Sequence, residues 1–209
     1  KGLAWYEITV GGDPSHASRP DQGDNAILNA GYVVDALESY DERIRAREDD
    51  LVGRAYATVT MFEAGTKENV LPEEAVITVD RRFLPEEDIE EIDAEIDGVL
   101  TGVEAAHGVE ATWERTRTYE AAEIPADSDL AEVFRDHAQD VAGVTRQPFG
   151  TTGSTDVRNF VNDAGMEAIT WGPGDTSQAH TYDEHVDLEA VADGREILER
   201  AAREILSGQ

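Results

Sequence analysis

The stretch that decides the fold is Ala75-Val-Ile-Thr-Val-Asp-Arg-Arg-Phe-Leu84, which is followed directly by Pro85-Glu-Glu-Asp-Ile-Glu-Glu-Ile-Asp-Ala-Glu-Ile-Asp-Gly-Val99. The first ten residues are rich in Val and Ile, as is typical of a β-strand. Beyond them the apolar residues recur at helical spacing, and proline is favoured at the first position of a helix. The stretch therefore predicts a strand over residues 75–84 and a helix that begins at Pro85.

The same two patterns occur on both sides of this stretch. Residues 3–10, 54–64 and 109–116 read as further strands, and Asp24 can cap a helix with an apolar face made of Ile27, Ala30, Val34 and Leu37. The predicted order is β-α-β-β-α-β. This order is the ferredoxin-like arrangement, in which two helices cover one face of an antiparallel sheet.

After Tyr119 the pattern of elements changes. Helices are predicted over residues 130–141 and 152–162, a short buried strand over 166–171, and a last helix capped by Asp187. The inward face of that last helix is expected to consist of Leu188, Val191, Leu198, Ala202 and Ile205. Alternating helix and strand indicates an α/β domain. We therefore expect two domains, 1–118 and 119–209, of which the second has few strands and looks like the end of a longer domain.

Charge and composition exclude several classes of protein. The formal net charge is −29, a field that repels nucleic acid and anionic membranes. The chain contains no Cys, so disulfides and thiolate metal sites are excluded. No apolar run is long enough to span a bilayer and the first residues do not resemble a signal peptide, so we expect a cytoplasmic protein. A folded chain with 46 acidic residues is typical of a halophilic protein, since molar salt screens the self-repulsion.

Two loops present a histidine in similar surroundings. In Gly172-Pro-Gly-Asp-Thr-Ser-Gln-Ala-His-Thr-Tyr-Asp-Glu184, His180 follows a predicted strand and precedes two carboxylates. It is either a zinc ligand with a carboxylate to orient it or an ordinary loop residue. In Gly11-Gly-Asp-Pro-Ser-His-Ala-Ser-Arg-Pro20, His16 is either a loop cap or a donor to developing oxyanion charge.

Three further positions could contact a substrate. Arg82 has the strand parity of Thr78 and Asp80, which places it on the face without helices, where it could bind a carboxylate or pair with a neighbouring acid. Asn69 precedes that strand and can both donate and accept hydrogen bonds. The turn Gly153-Ser154-Thr155-Asp156 opens a predicted helix, whose amides could bind an anion or form an ordinary cap.

Taken in this order, the segments resemble a family of di-zinc enzymes that contains aminoacylases, acetylornithine deacetylases, succinyl-diaminopimelate desuccinylases and related carboxypeptidases, here of halophilic archaeal type. The resemblance rests on residues 12–20, Glu68-Asn-Val-Leu-Pro72, Asp80-Arg-Arg-Phe83, Gly153–Asp156 and Ala179-His-Thr181. It implies a ferredoxin-like lid that forms a homodimer, followed by the C-terminal part of a zinc-dependent catalytic domain.

The resemblance also implies roles for individual residues. His16 would polarise the scissile carbonyl in the partner's active site, His180 would be the last zinc ligand, and Asn69 and Arg82 would hold the substrate carboxylate. Further substrate contacts would come from Gly153, Ser154, Thr155, Asp156, Gly172 and Gly174. Two zinc ions, replaceable by cobalt, would activate water to hydrolyse an N-acyl amino acid or a small peptide.

The sequence departs from the family in one large respect. The other metal ligands and the Glu-Glu pair of the family precede the lid, so we expect this chain to be an inactive fragment of the enzyme. The alternative is a non-catalytic dimerisation or ligand-binding module of ferredoxin-like type. Such a module would not need the loop at residues 172–184.

Overall fold

A computed structural model describes residues 1–144, 147–179 and 181–207. His180 lies outside the described residues, and so do positions 145, 146, 208 and 209. The chain divides into two compact units. Unit 1 comprises residues 1–121 and 150–154, and unit 2 comprises residues 122–149 and 155–209.

Unit 1 is the predicted ferredoxin-like domain. Its elements are β1 (Gly2–Gly11), α1 (Ala26–Ile44), β2 (Glu48–Asp49), β3 (Gly53–Arg54), β4 (Tyr56–Ala64), β5 (Glu74–Phe83), α2 (Ile89–His107) and β6 (Ala111–Tyr119). The four long strands form a sheet in the order β4-β5-β1-β6. All three neighbouring pairs are antiparallel, so the fold class predicted from the sequence is confirmed.

The core of unit 1 lies between the sheet and the two helices. On β5, from Ala75 onward, the buried residues alternate strictly with half-buried ones, and the buried set contains Ile77, Val79 and Phe83. Helix α1 contributes Ala30, Val33, Leu37 and Ile44, and α2 contributes Ile92, Ile96, Leu100 and Val103. The predicted face of α1 was partly wrong, because Ile27 is exposed and the buried stripe is centred on Val33 and Tyr40.

Both helix starts differ from the prediction. Asn25, and not Asp24, caps α1 by accepting a hydrogen bond from the Ile27 amide, while the Asp24 carboxylate accepts one from the Asn29 side chain. Helix α2 begins at Ile89, since the Asp88 carboxylate accepts from the amides of Glu90 and Glu91. Pro85 therefore lies in the loop before the helix. Asp88 sets the start of the helix, because its carboxylate accepts from free backbone amides, whereas a proline only lacks an amide N–H of its own.

A charged residue lies in the middle of this core. Arg81 has the same strand parity as Ile77 and Val79, and its side chain is fully buried against the helices. Its guanidinium pairs with Glu87 and donates to the Tyr40 hydroxyl at 3.0 Å. Burial, assisted by a hydrogen bond to Glu95, raises the pKa of Tyr40 to about 12.

Unit 2 contains α3 (Asp129–Ala142), α4 (Leu188–Ser207) and two short helical segments, Asn159–Asp163 and Thr176–Gln178. The helix expected over 152–162 is reduced to a short turn that includes a π-helical segment. The strand expected over 166–171 does not form, because unit 2 contains no other strand among its described residues to pair with it.

The inward face predicted for the last helix was wrong. Asp187 does cap α4, but the predicted inward residues Leu188, Val191, Leu198, Ala202 and Ile205 are exposed, and the buried positions are Gly194, Ile197 and Ala201. The apolar spacing was read correctly as helical. The burial of this apolar face was predicted wrongly, because the described residues of unit 2 form no sheet against which the face could pack.

Candidate functional site

The loop that contains His16 is held in place by the segment that contains Asn69. The Ala17 amide donates to the Asn69 carbonyl at 2.9 Å, and the Leu71 amide donates to the Ser15 carbonyl at 2.8 Å. These two bonds flank an isolated bridge between His16 and Val70. Both side chains of interest, those of His16 and Asn69, are exposed. The structure therefore brings these two predicted residues together in unit 1.

Gly12 allows this loop to fold tightly. A Cβ at this position would lie 2.6 Å from the Ala26 nitrogen, 2.7 Å from the Asp24 oxygen and 3.0 Å from the Pro72 oxygen. All three neighbours are backbone atoms, which cannot move aside individually as a flexible side chain can. The glycine is therefore required by the close approach of three backbone segments.

The hydrogen bonds of the His16 ring define its tautomer. The Ser18 amide donates to His16 Nδ1 at 3.1 Å, and the Ser18 hydroxyl lies 2.8 Å from the same nitrogen. An amide can only donate, so Nδ1 acts as an acceptor and the proton of the neutral ring resides on Nε2. The Nε2–H of this exposed residue is thus a hydrogen-bond donor.

Arg82 is paired with a neighbouring acid, which is one of the two alternatives that the sequence left open. Its parity prediction is confirmed, since it lies on the sheet face without helices. Its Nε donates to Asp80 Oδ1 at 2.6 Å and its Nη2 donates to Asp80 Oδ2 at 3.0 Å. Asp80 Oδ2 also accepts from the Trp5 indole nitrogen at 3.1 Å. Sequence reasoning placed Asp80 on the same face but missed Trp5, whose place opposite Asp80 depends on the pairing of β1 with β5.

The segment at residues 150–154 lies at the Arg82 end of the sheet. The backbone nitrogen of Lys1 is 3.0 Å from the Thr151 carbonyl oxygen, and Lys1 precedes Gly2, which pairs with Phe83. Burial, and then the charge of Arg82, lowers the pKa of the Lys1 side chain. The predicted substrate residues Gly153 and Ser154 belong to this segment of unit 1.

Two groups of predicted residues thus lie at opposite ends of one sheet. Gly11 pairs with Glu74 at one end of β5, next to the loops of His16 and Asn69, whereas Leu3 pairs with Arg82 at the other end. Eight residues separate Glu74 from Arg82, which corresponds to about 26 Å at a strand rise of about 3.3 Å per residue. A single unit 1 therefore does not bring Asn69 and Arg82 to the same carboxylate.

The remaining predicted residues lie in unit 2. The Thr155 hydroxyl lies 3.4 Å from that of Thr170, and the Asp156 carboxylate is exposed, 3.9 Å from Arg158. Gly174 adopts a φ of 106°, which a residue with a side chain rarely adopts. Gly172 borders an open apolar cleft of about 470 Å³, formed by residues that include Phe134, Trp171, Pro173, Val191 and Leu198.

The described residues do not by themselves form a metal site. No group of three or more His, Cys, Asp or Glu side chains within residues 1–144, 147–179 and 181–207 lies close enough together to hold a metal ion. The predicted zinc ligand His180 is outside these ranges.

No helix in the described part of the chain is long and apolar enough to cross a membrane.

Comparison with known proteins gives a consistent result. Residues 1–107 match the family described as the peptidase dimerisation domain. The chain is 27% identical over 202 residues to a succinyl-diaminopimelate desuccinylase of Corynebacterium glutamicum, covering 96% of this chain and 52% of that protein. It is 30% identical over 196 residues to an N-acetyl-L-citrulline deacetylase of Xanthomonas campestris, covering 90% and 50% respectively.

Among solved structures, the fold is similar to that of a tripeptidase from Staphylococcus aureus, with a TM-score of 0.73 at 18% identity. That match covers 100% of this chain and 52% of the tripeptidase. The chain thus spans about half the length of the relatives it matches.

Proposed function

Since residues 1–107 make this chain a member of the peptidase dimerisation domain family, we propose that it is the lid and the C-terminal catalytic portion of an enzyme that hydrolyses the amide of N-acyl amino acids. The names of its relatives, a desuccinylase and a deacetylase of acylated amino acids, support this substrate class. The released acyl group and the identity of the amino acid differ between these relatives. The proposal therefore commits only to an N-acyl amino acid with a free α-carboxylate.

One observation carries the proposal, namely the separation of His16 and Asn69 from Arg82 and residues 150–154 along a single sheet. A small acyl amino acid is several times shorter than the roughly 26 Å between these two ends. The two groups can serve one substrate only if they come from different chains. A two-fold dimer would supply them, because it places the His16 end of one chain beside the Arg82 end of its partner.

The surface of unit 1 is suited to such a dimer. β4 is an edge strand of the sheet, and it exposes Met61 and Phe62. Helix α1 exposes Ile27, Leu28 and Tyr32. An apolar edge strand next to an apolar helix face is a self-complementary surface that a two-fold partner can cover.

Each group has a chemical role in this proposal. His16 Nε2–H donates to the carbonyl oxygen as negative charge develops on it, a contact that is worth about 3 to 4 kcal/mol in comparable sites. The Asn69 side chain, on the segment bonded to the His16 loop, contacts the same part of the substrate. Arg82 binds the substrate carboxylate, which is charged in both the ground state and the transition state.

We further propose that His180 is a zinc ligand in the complete enzyme. A neutral imidazole is a good ligand for zinc, and catalytic sites normally have three protein ligands. The described residues do not provide such a set, so the other ligands and the general base would come from the half of the relatives that this chain does not span. When bound, zinc or cobalt would supply Lewis acidity and a metal-activated water.

The decisive experiment mixes two impaired variants of the full-length enzyme, one with His16→Ala and one with Arg82→Ala. In a mixed dimer one active site retains its own Arg82 and receives an intact His16 from the partner. We expect hydrolysis of N-acetyl and N-succinyl amino acids, assayed far below KM, to recover when the subunits exchange.

The control mixes the His16→Ala chain with a chain that has both substitutions, which provides no intact site. If subunit exchange is demonstrated and activity stays at the level of this control, the action of His16 across the dimer is wrong. A full-length protein that binds acyl amino acids and never hydrolyses them would instead indicate a non-catalytic binding module.

A further inference from the structure

We propose that Asp80 and Trp5 are positioning residues, which hold the Arg82 guanidinium so that one of its edges is presented to a substrate carboxylate. This inference rests on the carboxylate-binding role proposed above for Arg82. Neither Asp80 nor Trp5 needs to touch the substrate. Both act by fixing the position and the plane of the Arg82 guanidinium, which is the group that contacts the substrate.

The hydrogen bonds divide the guanidinium into two halves. Asp80 accepts from Nε and Nη2, at 2.6 and 3.0 Å, and so occupies the edge nearest the strand. A guanidinium has five N–H groups in one plane, and two remain on Nη1 and one on Nη2. No described residue accepts from these outer groups in the structure, and the Arg82 side chain is 31% exposed. The outer edge has the spacing that a carboxylate needs for a bidentate contact.

Trp5 fixes Asp80 in turn. The two residues face each other on adjacent strands, and the indole Nε1–H donates to Asp80 Oδ2 at 3.1 Å. The guanidinium of Arg117 lies over the face of the Trp5 ring, 5.0 Å from its centre, and takes no part in the hydrogen bond between Trp5 and Asp80. Trp5, Asp80 and Arg82 together form a relay that is built on paired strands of the central sheet. Sites built on strands are held more accurately than sites on loops.

Such an arrangement lowers the entropic cost of binding. A free arginine side chain loses several rotamers when it binds a ligand, whereas an arginine that is already immobilised loses far fewer. The relay contributes little to folding, because a partly exposed ion pair is worth little to stability. A positioning role and a structural role can therefore be separated by comparing substrate binding with stability.

The kinetic test uses three substitutions in the full-length enzyme. Trp5→Phe removes the indole donor without changing any charge. Asp80→Ala removes the carboxylate, and Asp80→Asn keeps its shape and one acceptor. We expect Trp5→Phe and Asp80→Ala to raise KM by about 5- to 10-fold with kcat within about twofold, since each removes a hydrogen bond that involves a charged group. Asp80→Asn should lie in between, and the melting temperature should change little.

Arg117→Ala is the matched control, because it removes a guanidinium from the same sheet face and from the same indole without touching Asp80. We expect its KM to stay within about twofold of the wild type. An equal rise of KM in this control would mean that the total charge of the face, and not the relay, governs binding. That result would overturn the proposal, as would a fall of KM in Asp80→Ala, which would show that Asp80 competes with the substrate.

The outcome separates this proposal from the one on which it rests. If Arg82→Ala raises KM and the Trp5 and Asp80 variants do not, the positioning role is wrong and the carboxylate-binding role of Arg82 stands. If Arg82→Ala leaves KM unchanged, both fail.

A binding measurement on the 209-residue chain gives independent evidence. The ¹⁵N–¹H signal of the Trp5 indole, identified by its loss in Trp5→Phe, should shift when N-acetylglycine is added and should not shift with the neutral N-acetylglycinamide. The shift should be absent in Arg82→Gln. A Trp5 signal that responds equally to both compounds would contradict the relay.

Discussion

Arg81 and Glu87 form an ion pair from which water is almost completely excluded, with side-chain exposures of 0% and 8%. Glu87 also accepts from Arg47 at 2.6 Å, so that one carboxylate joins β5 to the segment after α1. The Leu84 amide donates to its second oxygen at 2.8 Å. This carboxylate therefore neutralises the only guanidinium in the hydrophobic core that the structure describes.

We expect Glu87→Ala to lower the free energy of unfolding by about 3 to 5 kcal/mol, since the charge of Arg81 would stay buried without its partner. Thermal or urea unfolding at constant high salt would measure the change. Glu86→Ala is the matched control, because Glu86 is adjacent, has the same charge and is exposed. Equal effects of the two substitutions would contradict the importance of the buried pair.

We expect the ionisation of Tyr40 to lower the stability of the fold in alkaline solution. Its pKa is raised by burial to about 12 from the ordinary value of 10.0, so the folded state favours the neutral phenol. This contribution is complete below pH 10 and is lost as the pH rises from 10 to about 12, for a total on the order of 2 to 3 kcal/mol.

Tyr40→Phe should be less stable at pH 7, because Arg81 loses an acceptor. Its unfolding free energy should then fall less steeply than that of the wild type between pH 10 and 12. The control is Tyr32→Phe, in which the substituted ring is exposed and stacks on His107. A wild-type slope in Tyr40→Phe would contradict the prediction.

Gly12→Ala is expected to destabilise unit 1 and to displace the His16 loop, because the new methyl group would meet three backbone atoms at 3.0 Å or less. Gly98→Ala, in an open position of α2, should instead stabilise the protein by about 0.5 to 1 kcal/mol through helix propensity. Melting temperatures and the backbone NMR shifts of residues 12–18 would report both effects. An unperturbed His16 loop in Gly12→Ala would show that the close approach is not required.

The net charge of −29 predicts that folding requires salt. The Debye length grows from about 3 Å at 1 M to about 30 Å at 0.01 M, so at low salt the repulsion between carboxylates extends across the molecule. Far-UV circular dichroism should show a melting temperature that rises with the KCl concentration. Glu104→Gln combined with Glu110→Gln, which neutralises two exposed acids of unit 1, should shift the transition to lower salt. A melting temperature that is independent of salt would refute this prediction.

The exposed apolar residues of unit 1 predict a dimer. Sedimentation in about 2 to 3 M salt, chosen to screen the charge, should show a dimer for the wild type and a monomer for the combination of Leu28→Asp and Phe62→Asp. The control is Met166→Asp, which alters a residue of similar exposure in unit 2. A wild-type chain that remains monomeric at all concentrations would rule out this interface.

The local elements of unit 1 were determined by the sequence itself. A strand and a helix each need only their own apolar period and the neighbouring turn residues, and both are present in residues 75–99. The face of the sheet on which Arg82 lies followed from strand parity alone, because successive side chains of a strand point to opposite sides. The same reasoning accounts for the burial of Arg81.

Only the tertiary structure decided which residues lie together. Asn69 and Arg82 are thirteen positions apart in the chain, yet β5 carries them to opposite ends of the sheet, whereas His16 and Asn69 meet through backbone hydrogen bonds. The partnership of Trp5 with Asp80 likewise depends on the pairing of β1 with β5, which no local period specifies. The prediction of buried residues in unit 2 was wrong for the same reason. The apolar period of a helix specifies which residues share a face, whereas only a packing partner determines whether that face is covered.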